Sequence, residues 1–204
     1  FDVTRSDLLE NVRREISERL GRIDRVYINA GDCEYLDEDS FDFSHAERLN
    51  QVNYLGAVNT FSVARPLLTR KSATRKGAHL IVICSQVIAA PFPLAEAYGA
   101  SKAALSYFFS SLRLDIRPLG IDITCVYPGF VDTPLTRKNT FPMPFIMSAQ
   151  EAACRIIVGS QSRPRKLIFP FRLFFLLKLL SFFPALWEKL IGKKSDSKNN
   201  VEVG

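Results

Sequence analysis

His79-Leu-Ile-Val-Ile-Cys-Ser85 is a short apolar run that ends in a hydroxyl, and Tyr98-Gly-Ala-Ser-Lys102 follows it after a loop holding Pro91 and Pro93. A run of this length, rich in Ile and Val, reads as a buried strand. Ala95 to about Arg117 reads as a helix, closed by Pro118 and Gly120. Strand, loop and helix in this order form the unit of a layered α/β fold with a parallel sheet.

The same alternation extends in both directions. A first helix is expected from about Ser6 to Leu20, with Leu9, Val12, Ile16 and Leu20 on one stripe and Gly21 at its stop. Arg25-Val-Tyr-Ile-Asn29 reads as a short buried strand. Ser44-His-Ala-Glu47 reads as a capping box that opens a long helix to about Leu68, with Asn53 inside it. Ile121 to Tyr127 gives the next strand, Ser148-Ala-Gln-Glu151 caps another helix, and Lys166–Phe169 is expected as the last strand. Ligands in such sheets bind at the carboxyl ends of the strands. Asn29, Ser85 and Pro128 each stand at such an end, so three separate segments meet at one edge.

Tyr98 and Lys102 are four residues apart and project from one helix face. Tyrosine is a poor base near neutrality, with a reference pKa of about 10. A lysine ammonium one turn away favours the phenolate, so Lys102 is expected to lower the Tyr98 pKa and suit it to proton transfer with a carbonyl or alcohol. Ser85 is placed to hydrogen-bond the same oxygen.

With these residues in view, the chain resembles the short-chain dehydrogenase/reductase family. Asn29-Ala30-Gly31 after a strand is similar to the family's Asn-Ala-Gly motif. Asn53 in Val-Asn-Tyr-Leu-Gly56 matches its helix asparagine, and Ser85, Tyr98 and Lys102 match its serine and Tyr-x-x-x-Lys. Pro128-Gly129-Phe130-Val131-Asp132-Thr133 resembles the segment that closes over nicotinamide. The resemblance covers about residues 1–170 and implies a Rossmann-like doubly wound parallel sheet. It implies an oxidoreductase using NAD or NADP, the two not being distinguishable, on a small carbonyl or alcohol. Tyr98 would be its general acid or base, with Lys102 also binding the nicotinamide ribose. Ser85 would polarise the carbonyl and Asn53 would hold a relay water. Asp2 and Val3 would lie near adenine, Ala30 and Gly31 near the ribose and phosphate, and Val131 and Thr133 at the nicotinamide amide. Two alternatives stay open: Asn29 as a tie between strands, and Thr133 as a cap before Pro134. Dimers or tetramers are common in the family.

One departure is plain. The family's opening strand and glycine-rich turn, which hold a pyrophosphate at a helix N-terminus, have no counterpart here. The fold is therefore expected to lack its first βαβ unit, as an N-terminally truncated member whose strand Arg25–Asn29 becomes a sheet edge. A non-catalytic domain that binds a partner or a membrane through its tail is the alternative reading.

The 204 residues fit one domain of ordinary balance, 47% apolar and 24% charged. Residues 1–162 hold 18 basic and 18 acidic side chains, whereas residues 163–204 hold 9 and 3. A neutral body argues against a nucleic-acid partner. Cys33, Cys84, Cys125 and Cys154 form no Cys-x-x-Cys pair, and Cys84 and Cys125, inside apolar runs, read as reduced core thiols of a cytoplasmic protein. His45 and His79, far apart, are expected at the surface or a strand start, and no metal site is expected. The apolar segment 140–147 stands where the family's substrate lid lies, and with the Phe-rich tail it favours an apolar or lipid-like substrate. Residues 171–192 form a hydrophobic, basic extension, expected either to pack on the domain or a partner or, with Lys193 and Lys194, to lie on a membrane surface. Residues 193–204 are expected to be disordered.

Overall fold

A computed structural model describes residues 1–36, 44–69, 76–138 and 142–192. The expected disordered tail, with Lys193 and Lys194, lies outside them, as do Thr140 and Phe141 of the apolar segment. In chain order the elements are α1 (Leu9–Leu20), β1 (Arg25–Ile28), α2 (Ser44–Asn50) and α3 (Gly56–Ala64), then β2 (His79–Ile83), α4 (Glu96–Ile116) and β3 (Asp122–Pro128). A short pair, β4 (Val131–Asp132) and β5 (Met147–Ser148), precedes α5 (Ala149–Ser160) and β6 (Lys166–Phe169). The tail folds as α6 (Phe171–Ser181) and α7 (Pro184–Gly192).

The main sheet runs β1-β2-β3-β6, and every neighbouring pair is parallel. Side chains alternate across it. Leu80, Val82, Ile123 and Cys125 meet Phe61 of α3 and Leu105 and Phe109 of α4. Ile81 and Val126 face the other way, onto Ala152 of α5. Both faces are covered, which explains why β2 and β3 read as unbroken apolar runs. The fold is a doubly wound α/β sheet, and its parallel strands bring their carboxyl ends to one edge.

Three local expectations need correction. The long helix after Ser44 is not uniform: Gln51–Leu55 is a π-helical stretch between α2 and α3. Such wide turns cluster at functional positions, and this one carries Asn53 into full burial. The α1 stripe is only half-buried, on α3, and Leu20 is 65% exposed. His45 is buried rather than at the surface, because α2 packs against α4. Other punctuation stands as read. Ser148 Oγ accepts the Glu151 N–H at 3.1 Å, and Gly120 takes the left-handed conformation (φ 75°) after the α4 segment. β1 is an edge strand among the described residues. All four cysteines are free, and the adjoining Cys125 thiol together with burial pushes the Cys84 thiol up.

His79 opens β2 fully buried. The Thr124 hydroxyl donates to the Pro164 carbonyl at 2.6 Å, so its oxygen is left to accept from His79 Nε2, 2.8 Å away. Burial, reinforced by the positive charge of Arg163, pushes the His79 pKa down to about 4. A base held below its unfolded pKa leaves stability intact above the unfolded value and removes it as pH falls towards the folded one. We therefore expect the melting temperature to be flat above pH 7 and to fall between pH 6.5 and 4, a loss on the order of 3 kcal/mol. Thermal melts across this range check it, and His79→Leu should flatten the dependence.

Candidate active site

At the end of β2 the chain turns at Ser85, whose Oγ accepts the Val87 N–H at 3.1 Å and caps a short turn over Gln86–Ala89. Facing it, α4 carries Tyr98 and Lys102 one turn apart. The Ser85 hydroxyl lies beside the Tyr98 phenol and favours its ionised form. Lys102 is 5% exposed, and its Nζ donates to the Ile83 carbonyl at 3.1 Å.

Asn53 arrives from the π turn. Its Oδ1 accepts the Asp32 N–H at 2.8 Å, and its Nδ2 donates to the Asp32 carbonyl and to Ser101 Oγ, both at 2.9 Å. The Ser101 hydroxyl donates in turn to the Tyr98 carbonyl at 2.8 Å. One buried amide thus joins the loop after β1 to α4. Gly31 closes the cluster: a Cβ there would stand 2.9 Å from Asn53 Oδ1 and 3.1 Å from Lys102 Nζ.

The electrostatics differ from the sequence expectation. Burial pushes the Tyr98 pKa up to about 12, the Ser85 hydrogen bond pulls only partly back, and the Cys33 and Cys84 thiols add to the rise. Burial pushes Lys102 down. Desolvation governs the Tyr98 shift here, and the Lys102 ammonium is hydrogen-bonded to the Ile83 carbonyl.

The remaining candidates divide. Ala30 and Asn29 are exposed at the end of β1, next to Gly31. The Asn29 side chain makes no hydrogen bond among the described residues, so it does not tie strands there. Pro128 ends β3, and the Gly129 N–H donates to the Phe169 carbonyl at 2.8 Å. A Cβ at Gly129 would press on Pro170 at 3.0 Å and Leu173 at 3.2 Å, so close packing requires that glycine. Val131 packs beside Ile81 and Val126. The Thr133 hydroxyl is engaged by Thr136, the capping role that the sequence left open. The Asp2 carboxylate turns onto Thr4, whose N–H and hydroxyl hold it below the usual carboxylate range. Val3 packs at Gly56, and its carbonyl accepts from Asn59 at 2.9 Å.

Two residues escaped the sequence reading. Ser101 lies inside the Tyr-x-x-x-Lys segment, and its spacing from Tyr98 was the available signal. Gln86, beside Ser85, is buried and donates to the Tyr127 and Pro170 carbonyls at 3.2 and 3.1 Å. A polar amide in an otherwise apolar loop was its only mark. A largely apolar cavity of about 730 Å³ adjoins the cluster rather than containing it. Val87, Phe92 and Ala95 line it on the loop side, Gly99 and Ala103 on α4, and Trp187 on α7.

Comparison with known proteins matches residues 1–142 to the family model for short chain dehydrogenase. The chain belongs to the short-chain dehydrogenase family. It is 34% identical over 173 residues to an uncharacterized oxidoreductase of Myxococcus xanthus, covering 85% of this chain and 67% of that one. It is also 34% identical over 153 residues to 11-beta-hydroxysteroid dehydrogenase-like 2 of Arabidopsis thaliana, covering 72% of this chain and 48% of the relative. The chain therefore spans about half the length of that plant relative. Pseudomonas aeruginosa RhlG, solved as an NADP active-site complex, shares the fold with a TM-score of 0.61 and 26% identity, over 67% of this chain and 54% of that one.

The two glycines beside this family site make a paired prediction. Gly31→Ala should destabilise by about 1–3 kcal/mol through overpacking. Gly99→Ala, whose Cβ would meet nothing closer than Val87 at 4.0 Å, should stabilise α4 by about 0.5–1 kcal/mol. Denaturant melts of both variants check the opposite signs.

Proposed function

We propose that the chain carries the proton-transfer machinery of an NAD(P)-dependent oxidoreductase that interconverts a carbonyl and an alcohol. The observation that carries this reading is the convergence of Lys102 Nζ and Asn53 Oδ1 on the bare Gly31 backbone, with the Ser85 hydroxyl beside the Tyr98 phenol. The RhlG complex with NADP and the hydroxysteroid-dehydrogenase-like relative support the same reaction class.

Gly31 fits a bound dinucleotide, because any side chain would fill the space over Lys102 and Asn53. Ala30, Gly31 and Lys102 would hold the ribose side. Pro128, Gly129, Val131 and Thr133 would border the nicotinamide, and Asp2 and Val3 the adenine. When bound, nicotinamide supplies the hydride that reaches the carbonyl carbon. The chain's part is at the oxygen. Ser85 donates a hydrogen bond to it, and Tyr98 delivers the phenolic proton that completes the alcohol. Lys102 returns a proton to the phenol through a water that Asn53 would hold. The oxidation runs these proton steps in reverse.

The adjoining cavity supports an apolar substrate. Its walls are mostly Val, Ile, Phe, Ala, Pro and Trp side chains, with Glu96 and Glu188 among them, and the Val87 N–H donates to Ser85 Oγ. Activity confined to small polar ketones would remove this part of the proposal. Residues 1–170 form the catalytic domain in this reading, with 171–192 as a helical extension that closes the cavity through Trp187.

Tyr98→Phe tests the assignment. Turnover of apolar ketones with NADH or NADPH should fall by at least about 100-fold, with the melting temperature and cofactor affinity retained. Unchanged turnover would contradict it. A phenol held up to about 12 is protonated through pH 10. Reduction should therefore keep its acid across pH 6–10, whereas oxidation, which needs the phenolate, should accelerate steadily from pH 7 to 10. Initial rates in both directions measure this asymmetry.

A further inference from the structure

The tail helices are mostly apolar, but the body covers only one side of them. α6 turns Leu173 and Leu177 onto Ala89 and Ala90. α7 turns Trp187 inward, its indole N–H donating to the Pro91 carbonyl at 2.7 Å and its ring meeting Phe92 edge-on at 5.3 Å. The opposite side stays open. Phe171, Phe175 and Leu179 of α6 and Phe182, Phe183 and Leu186 beyond it are each between 47% and 76% exposed. A contiguous aromatic and leucine face of this kind marks an interaction surface.

Its occupant is indicated by charge and length. Arg172, Lys178 and Lys189 are exposed on these two helices, against a single acid, Glu188. A second copy seated on the same face would oppose these basic side chains to their own equivalents, which disfavours a symmetric dimer. The chain's last twelve residues, Lys193 to Gly204, are polar, with two valines as their only aliphatic residues, and make a poor apolar cover. A neighbour on the open β1 edge would sit at the other side of the sheet from β6, which leads into α6. Helices of 11 and 9 residues are far shorter than the roughly 20 needed to span a bilayer. No described helix is long and apolar enough to cross a membrane.

We propose that α6 and α7 lie in the surface of an anionic lipid bilayer, with their Phe and Leu side chains among the acyl chains and Arg172, Lys178 and Lys189 at the headgroups. This docking stands independently of the catalytic reading. It also places the Trp187-lined wall of the cavity next to the lipid.

Flotation of the full chain tests it, using vesicles of phosphatidylcholine and phosphatidylserine at roughly two to one and vesicles of phosphatidylcholine alone. The wild type should float with the anionic vesicles, less with the neutral ones, and less again at high salt. Phe175→Glu/Phe182→Glu should lower its partition by at least about tenfold with an unchanged circular dichroism spectrum, since both side chains are exposed. Arg172→Glu/Lys178→Glu/Lys189→Glu should remove the preference for anionic lipid. Failure of the wild type to float would overturn the proposal, as would wild-type flotation by the Phe175→Glu/Phe182→Glu protein. A concentration-dependent dimer that this double variant abolishes, without vesicle binding, would assign the face to a second copy instead.

Discussion

The side-chain amide of Asn53 sets the geometry on which the site depends. It is fully buried and satisfies both main-chain groups of Asp32, while its remaining donor reaches Ser101. Loops rarely place their backbone groups against a core unless something pairs them. Here one residue does so, and it fixes the chain after β1 against α4. Gly31 is thereby held over Lys102, and Ser101 fastens the same clamp to the turn that carries Tyr98. The π turn in the preceding helix delivers Asn53 to this position.

Such a cluster works against stability as it prepares the chemistry. Burying a lysine and a tyrosine disfavours their charged forms, and both shifts run in that direction: Lys102 down and Tyr98 up. Desolvation is the largest cause of both shifts. In the ligand-free chain the phenol therefore rests as the proton donor, the form that carbonyl reduction uses. Lys102 meets the main chain of Ile83 and sits under Gly31, where it serves to position as much as to polarise.

The sheet and most helices were readable because parallel strands covered on both faces must be apolar runs, and β2 and β3 are such runs. Asn53, Ser85, Tyr98 and Lys102 were readable as a set by motif order, and the structure brings all four to one place. What escaped depends on contacts distant in sequence. The π turn has the same apolar spacing as an α-helix. The need for glycine at position 129 arises from Pro170 and Leu173, and His79 owes its burial to a partner on β3. The upward shift of Tyr98 reflects its partial burial against neighbours distant in sequence, which residue spacing does not reveal. The tail presented two readings in sequence; in the structure Trp187 packs on the body, while Phe175 and Phe182 stay exposed.

The central claim is that Asn53 and Ser101 act as one clamp that positions the site before any ligand arrives. A double-mutant cycle with Asn53→Ala, Ser101→Ala and the combined variant, read by denaturant unfolding, addresses it directly. The clamp predicts a coupling energy of roughly 0.5–3 kcal/mol, with the double variant losing less than the sum of the singles. Additivity within about 0.3 kcal/mol would mean that the two residues act separately and would contradict the account.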